Sequence, residues 1–332
     1  MQVYKDMPRF LLMHQSLLSH DDINLVEVED EDLAGTLLAM HESGELDDAL
    51  VIVMADHGHR FAELRETHQG MLEERLPFFA ISLPAKFRTS DRGRQMYANL
   101  LGNRNRLTTP FDIHATLWDI LHVPEDLASV QDASKRSLSL FRPILERRTC
   151  EQAGISVHWC TCLNWEDAMG TFEGRKLAHI LASAIVDAFN RQLKDVFHLC
   201  AQLSLQELLD AKKLISTDRS GEVKERFWPN TDGNNATTYY QIKLRTTPGN
   251  AVYEVTVSFL CYLLLDINSA VLVVAIGTRE VTLFYSSEEV HIDLSSVSHA
   301  NRFGDAPHCI IDQNYFLATY CVCLDKVSLV NT

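Results

Sequence analysis

The residues best suited to chemistry are Asp56 and His57, in the run Met54-Ala-Asp-His-Gly58. A carboxylate and an imidazole side by side can share one divalent ion where the backbone turns sharply behind them, and Gly58 permits such a turn. Oxygen and nitrogen donors together suit zinc or a similar ion. The alternative is a plain Asp-His-Gly turn without a ligand. Two more histidines bear on the choice: His20, in Ser19-His-Asp-Asp22, and His114, in TTPFDIHATLWDIL. His114 can equally be a partly buried structural histidine. Ser19, His20 and Asp21 do not make a hydrolytic triad, because triad members meet through the fold and not as consecutive residues. Arg60 and Arg65 can pair with a substrate oxyanion. Arg65 can as well join Glu73 and Glu74 in a structural ion-pair cluster.

Positioning these groups requires an element that ends at Asp56. Ala49–Met54 is a continuous apolar run of the kind found in central parallel strands, and ligands in open α/β sheets bind at the carboxyl ends of strands. Arg9–Met13 predicts a buried strand that delivers His20 to a loop. Between the two, Asp30 to Leu46 predicts a helix with Asp30 as N-cap and Gly44 as stop, so the three elements form a right-handed βαβ unit. Leu76–Leu83 reads as another strand, closed by Pro84, and Thr109–His122 as a helix with Pro110 in its first position. Residues 1–126 are thus expected to be an α/β sandwich with a mainly parallel sheet. Residues 127–149, basic and polar through RPILERR, read as a linker. Residues 150–332 read as an α+β domain, with helices near Arg175–Leu193 and Leu203–Leu214 and strands near Thr238–Arg245 and Ala251–Leu263.

The chain of 332 residues, 46% hydrophobic and 23% charged, has the composition of a globular protein. Its net charge of −15 argues against a nucleic-acid partner, since phosphate binding needs a dense Lys/Arg surface. Eight cysteines are concentrated after residue 149. The pairs Cys160/Cys162 and Cys321/Cys323 are C-x-C and not the C-x-x-C of a zinc knuckle, so disulfides are preferred to metal ligation or free thiols. Candidates are Cys150, Cys160, Cys162, Cys200, Cys309, Cys321 and Cys323, with connectivity open. Asn235-Ala-Thr237 is a glycosylation sequon. Together these features point outside the cell. The N-terminal residues lack the pattern of a secretory signal, which is therefore expected upstream of Met1. Val255–Ile276 is apolar enough to raise a membrane span, but Asp266 and Asn268 in its middle favour two buried strands.

The segments VIVMADHGHRF, LRETHQGMLEERLPFFAISLP and NRLTTPFDIHATLWDIL resemble a family known as domain of unknown function 229, described as a nematode and insect branch of the alkaline phosphatase and sulfatase superfamily. RRTCEQAGISVHWCTC and NRFGDAPHCIIDQNYFLATYCVC resemble its cysteine-bearing tail. The resemblance implies a secreted metal-dependent hydrolase acting on small or glycan-borne phosphate or sulfate esters, with zinc or calcium as cofactor. It implies that Asp56 and His57 bind one metal, and that His20 and His114 correspond to the two histidines of a second. The residue four before His20 is Ser16, where the family pattern has Asp. The nucleophile and the first metal-binding Asp are expected before residue 9, so this chain alone is expected to lack a nucleophile and be inactive. The competing expectation is a disulfide-stapled interaction protein with a vestigial hydrolase fold. The apolar stretch 258–285 stands apart from the family tail and reads as an insertion or a retained intron.

Overall fold

The computed structural model describes residues 7–20, 22–60, 63–122, 124–215, 235–262, 297–301 and 304–327. The chain divides into two compact units, Met1–Tyr97 and Ala98–Thr332. Helices and antiparallel sheets make up both.

In the first unit, helix α1 (Leu25–Glu42) precedes strand β1 (Val51–Met54), helix α2 (His68–Arg75), strand β2 (Phe79–Ser82) and helix α3 (Ala85–Thr89). Helix α1 starts five residues before the expected Asp30, which lies inside it. It stops as expected, with Gly44 at φ +74° just beyond its end, a conformation that glycine adopts without strain. β1 and β2 pair antiparallel, from Val51 opposite Ser82 to Met54 opposite Phe79. The expected parallel βαβ unit is therefore not what forms. Nor is β1 buried as expected: Val51–Val53 are partly covered and Met54 is 46% exposed, because a two-stranded sheet supplies only one neighbour, and pairing direction is set by the partner that the fold supplies. Arg9–Met13 likewise forms no strand: Phe10 and Met13 are 82% and 81% exposed, and among the described residues no strand edge pairs with them.

The second unit takes the end of helix α4 (Asp91–Asn103) and adds helix α5 (Pro110–Leu121), strand β3 (Asn164–Asp167), helix α6 (Phe172–Leu193) and strands β4 (Ser204–Ile215), β5 (Asn235–Thr247), β6 (Val252–Tyr262) and β7 (Val297–His299). Short helices α7 (Tyr315–Ala318) and α8 (Leu324–Val327) close it. Pro110 stands at the start of α5 as expected, and Thr109 and Asp112 form a capping box that satisfies its first N–H groups. α6 is capped by Thr171, whose Oγ1 accepts from Gly174 N at 3.0 Å.

The strands run β3-β4-β5-β6-β7, each neighbour antiparallel. Tyr253, Val255 and Val257 of β6 and Ile242 and Leu244 of β5 alternate along their strands and meet Leu181, Ile185 and Phe189 of α6 in one core. Those α6 residues recur every four positions, which gives the helix a single apolar stripe. Phe189 stacks on Tyr320 with ring centroids 4.4 Å apart. Full burial of each such side chain stabilises the unit by about 1.5–3 kcal/mol.

β4 occupies residues expected to be helical. Its sequence SLQELLDAKKLI is rich in helix formers, with Leu205, Leu208 and Ala211 three residues apart. The register slips between Leu205 and Glu207 and again between Leu208 and Asp210. Each slip adds one residue against the partner strand, so all three side chains return to the core face. Two bulges thus give a strand the spacing of a helix.

Residues 127–149, read as a linker, are built into the second unit. Asn99 Nδ2 donates to the carbonyls of Leu127 and Phe141, at 2.8 and 2.7 Å. One turn further along α4, Asn103 Nδ2 donates to Leu140 and Arg142, and Asn103 Oδ1 accepts from Ile144 N. Arg148 grips the buried Asp112 through two hydrogen bonds, Nη1 to Oδ2 at 2.7 Å and Nη2 to Oδ1 at 3.1 Å. Asp112 also accepts from the backbone N–H groups of Thr109 and Leu138, both at 2.7 Å. Neither charged side chain reaches water.

The ring of His299 lies flat on Tyr253, with centroids 4.8 Å apart, and its Nε2 is sealed from water. Burial pushes its pKa down from 6.5 to about 4. Protonation is then favoured in the unfolded chain but resisted in the fold between those two values, so stability falls as pH drops through that window. Urea unfolding at neutral and at mildly acid pH checks this. The His299→Gln variant is expected to lose less stability than the parent on acidification, and an equal loss in both would refute the assignment.

No helix among the described residues is long and apolar enough to cross a membrane. Of the apolar stretch 255–276, the part to Tyr262 belongs to β6 and the rest lies outside the described residues, as do residues 263–285 of the proposed insertion. The sequon residue Asn235 opens β5, its backbone opposite Tyr262.

Candidate functional site

β1 ends at Met54, and Ala55 N donates to Phe78 O at 2.9 Å, which keeps the chain on the sheet for one more residue. Asp56-His57-Gly58 then turns away. Gly58 N donates to Glu74 O at 3.0 Å, tying the turn to the end of α2. A Cβ on Gly58 would stand 2.1 Å from Glu73 O, so only glycine allows this approach.

Within the turn, His57 N donates to Asp56 Oδ1 at 2.9 Å, which orients the carboxylate. His57 Nδ1 lies 2.7 Å from Gly58 O. A carbonyl oxygen only accepts, so Nδ1 carries a proton, and in the neutral ring it is Nε2 that keeps the lone pair. That Nε2 is 3.7 Å from Asp56 Oδ2. Two ligand atoms each about 2.0–2.2 Å from one zinc ion stand about 3.4 Å apart in a tetrahedral site and up to about 4 Å apart at wider angles, a range that includes this separation. A histidine whose second nitrogen is fixed on a backbone carbonyl is the usual arrangement of a metal ligand. Asp56 is exposed and His57 partly so, which leaves the pair open to solvent.

The two arginines have different roles. Arg65 is buried, and its Nε donates to Glu74 Oε2, so its charge is spent inside the unit as the ion-pair reading has it. Arg60 is half-exposed, with Nε 3.9 Å from Glu74 Oε1. Arg65 and Glu73 also line a small cleft with Ile23, His59, Leu64 and Gly70.

His20 is exposed in a turn closed by its own N–H on Ser16 O at 3.0 Å, in the same unit as Asp56 and His57. His114 is exposed on α5, in the second unit. Among the described residues, the groups of three adjoining ligand atoms all contain cysteine.

Disulfides account for six of the seven candidate cysteines: Cys150–Cys160, Cys200–Cys321 and Cys309–Cys323. Cys162 corrects the expectation, being an exposed free thiol. Cys160, two residues earlier, is buried and already joined to Cys150, so the C-x-C spacing does not make both cysteines structural.

A family model described as "protein of unknown function (DUF229)" matches residues 1–209. The chain belongs to the DUF229 family. The matched residues hold Asp56, His57, His20 and His114, the Cys150–Cys160 disulfide and Cys162. They end inside β4, so most of the antiparallel sheet of this DUF229 chain lies beyond the match. Neither a curated protein nor a solved structure matches it.

Proposed function

We propose that Asp56 and His57 are half of a divalent-metal centre, and that the full-length protein is a secreted hydrolase of phosphate or sulfate esters of the alkaline phosphatase and sulfatase type. The observation that carries this reading is the 3.7 Å approach of Asp56 Oδ2 to His57 Nε2, with Nδ1 held on Gly58 O. The imidazole favours zinc over calcium, since calcium is bound almost wholly by oxygen. A bound ion would act as a Lewis acid on an ester oxygen. Asp56 would bring negative charge, Gly58 O the histidine tautomer, and the half-exposed Arg60 a cation for the substrate oxyanion. His20 and His114 are the further candidate ligands. The three disulfides support an extracellular address. With a net charge of −15, small or glycan-borne esters suit the surface better than nucleic acid.

The test is zinc binding to the full chain. Dialysed protein is expected to retain zinc by elemental analysis, and His57→Ala and Asp56→Ala are each expected to weaken binding by at least about 100-fold, the upper end of what losing even a supporting hydrogen bond costs. Equal zinc retention by parent and double variant would sink the assignment. A second reading, an extracellular interaction module with a vestigial hydrolase fold, is favoured by the three disulfides of the second unit. It becomes the better one if the parent holds no zinc.

A further inference from the structure

Cys150, Cys160 and Cys162 place three sulfur atoms within 4.8 Å of one another. Two are joined in the Cys150–Cys160 disulfide, and the third is an exposed thiol. A thiol beside a disulfide is a reactive pair, because the thiolate attacks a disulfide sulfur directly. The neighbourhood gives the reaction a structural consequence. Two residues before Cys160, His158 is wedged into the sheet, its Nδ1 2.9 Å from Thr256 Oγ1 on β6 and its Nε2 2.8 Å from Ser298 Oγ on β7. The 3₁₀ turn Val157–Trp159 carries this histidine, and Cys160 follows it at once. The disulfide therefore anchors the segment that plugs the sheet.

We propose that Cys150 is shared between Cys160 and Cys162 by internal thiol–disulfide exchange. The Cys162 thiolate attacks Cys150 Sγ, the Cys150–Cys162 bond forms as Cys150–Cys160 breaks, and the electron pair leaves on Cys160 Sγ. Cys160 takes up from solvent the proton that Cys162 released, so no oxidant or reductant is consumed. Attack on Cys160 Sγ instead would close a ring between residues two apart, which makes Cys150 the sulfur that is passed. Cys160 is buried and is well accommodated as a thiol, since free cysteine packs as a small hydrophobe. After exchange, the covalent tether has moved from the residue beside the His158 plug to the exposed residue outside it. The plug then rests on its two hydroxyl contacts without the adjacent staple.

The experiment is peptide mapping of the intact, unreduced chain, alkylated with N-ethylmaleimide after incubation at mildly acid and mildly alkaline pH. Both linkages are expected, with label divided between Cys162 and Cys160, and the second linkage should form faster at alkaline pH because thiolate is the nucleophile. A Cys150–Cys162 population above about one molecule in twenty, which corresponds to about 1.7 kcal/mol between the two linkages, supports the proposal, and a smaller one at every pH overturns it. Cys160→Ser gives a second readout. It is expected to carry a Cys150–Cys162 disulfide, and free thiols at both positions in the folded variant would overturn the assignment independently.

Discussion

Replacing Arg148 with Met is expected to cost the protein about 3–5 kcal/mol of folding stability, the usual effect of removing one partner from a buried ion pair. The guanidinium makes two hydrogen bonds to Asp112 and one each to the carbonyls of Leu107 and Arg136. Its removal leaves a carboxylate fully shielded from water, with two backbone N–H groups and the Thr109 hydroxyl as its remaining partners. Arg148→Lys should recover little, because an ammonium cannot span both carboxylate oxygens and two carbonyls in one plane. Chemical denaturation of the parent and the two variants decides the matter. A loss below about 1 kcal/mol, the size of a surface pair, would mean that Asp112 does not depend on Arg148.

The second large effect concerns Cys200–Cys321, which closes a loop of sequence separation 121. In the chain-entropy treatment, a cross-link stabilises by restricting the unfolded chain, and a loop of this length is worth about 5 kcal/mol. The separations of 14 for Cys309–Cys323 and 10 for Cys150–Cys160 predict about 3 kcal/mol each in the same treatment. Paired substitution to alanine, one disulfide at a time, should therefore lower the unfolding midpoint most for Cys200/Cys321. Both of those cysteines are buried in the main core, so the alanines also leave a cavity there. The reverse order, with Cys150/Cys160 dominant, would refute the loop argument.

What could be read from the sequence follows from how local each signal is. Helix α5 announced itself through Thr109, Pro110 and Asp112 within four residues, and α6 through one apolar stripe. β5 and β6 declared themselves by β-branched and aromatic alternation. β4 did not, because its two bulges convert a period of two into a period of three, and only the partner strand reveals them. The parallel sheet expected around Asp56 failed for a related reason: the apolar run Val51–Met54 carries strand character but no record of which way its neighbour runs. Arg148 was hidden inside a basic, polar stretch, and its partner lies 36 residues away, where no spacing rule reaches. The site itself was legible as a residue pair, Asp56 with His57. The histidine tautomer was not, because it depends on the angle at which Gly58 presents its carbonyl.

The disulfides also change what cleavage means for this molecule. Cys200–Cys321 and Cys309–Cys323 interleave along the chain, so the polypeptide between them is covalently a ring locked to a second ring. A protease that cuts one peptide bond anywhere between Cys200 and Cys321 makes two fragments that stay joined. Such a nicked molecule keeps the mass of the intact one plus a water and comes apart only on reduction. Where proteases are common and reductants scarce, the stretch from Cys200 to Cys323 would survive a single cut as one object.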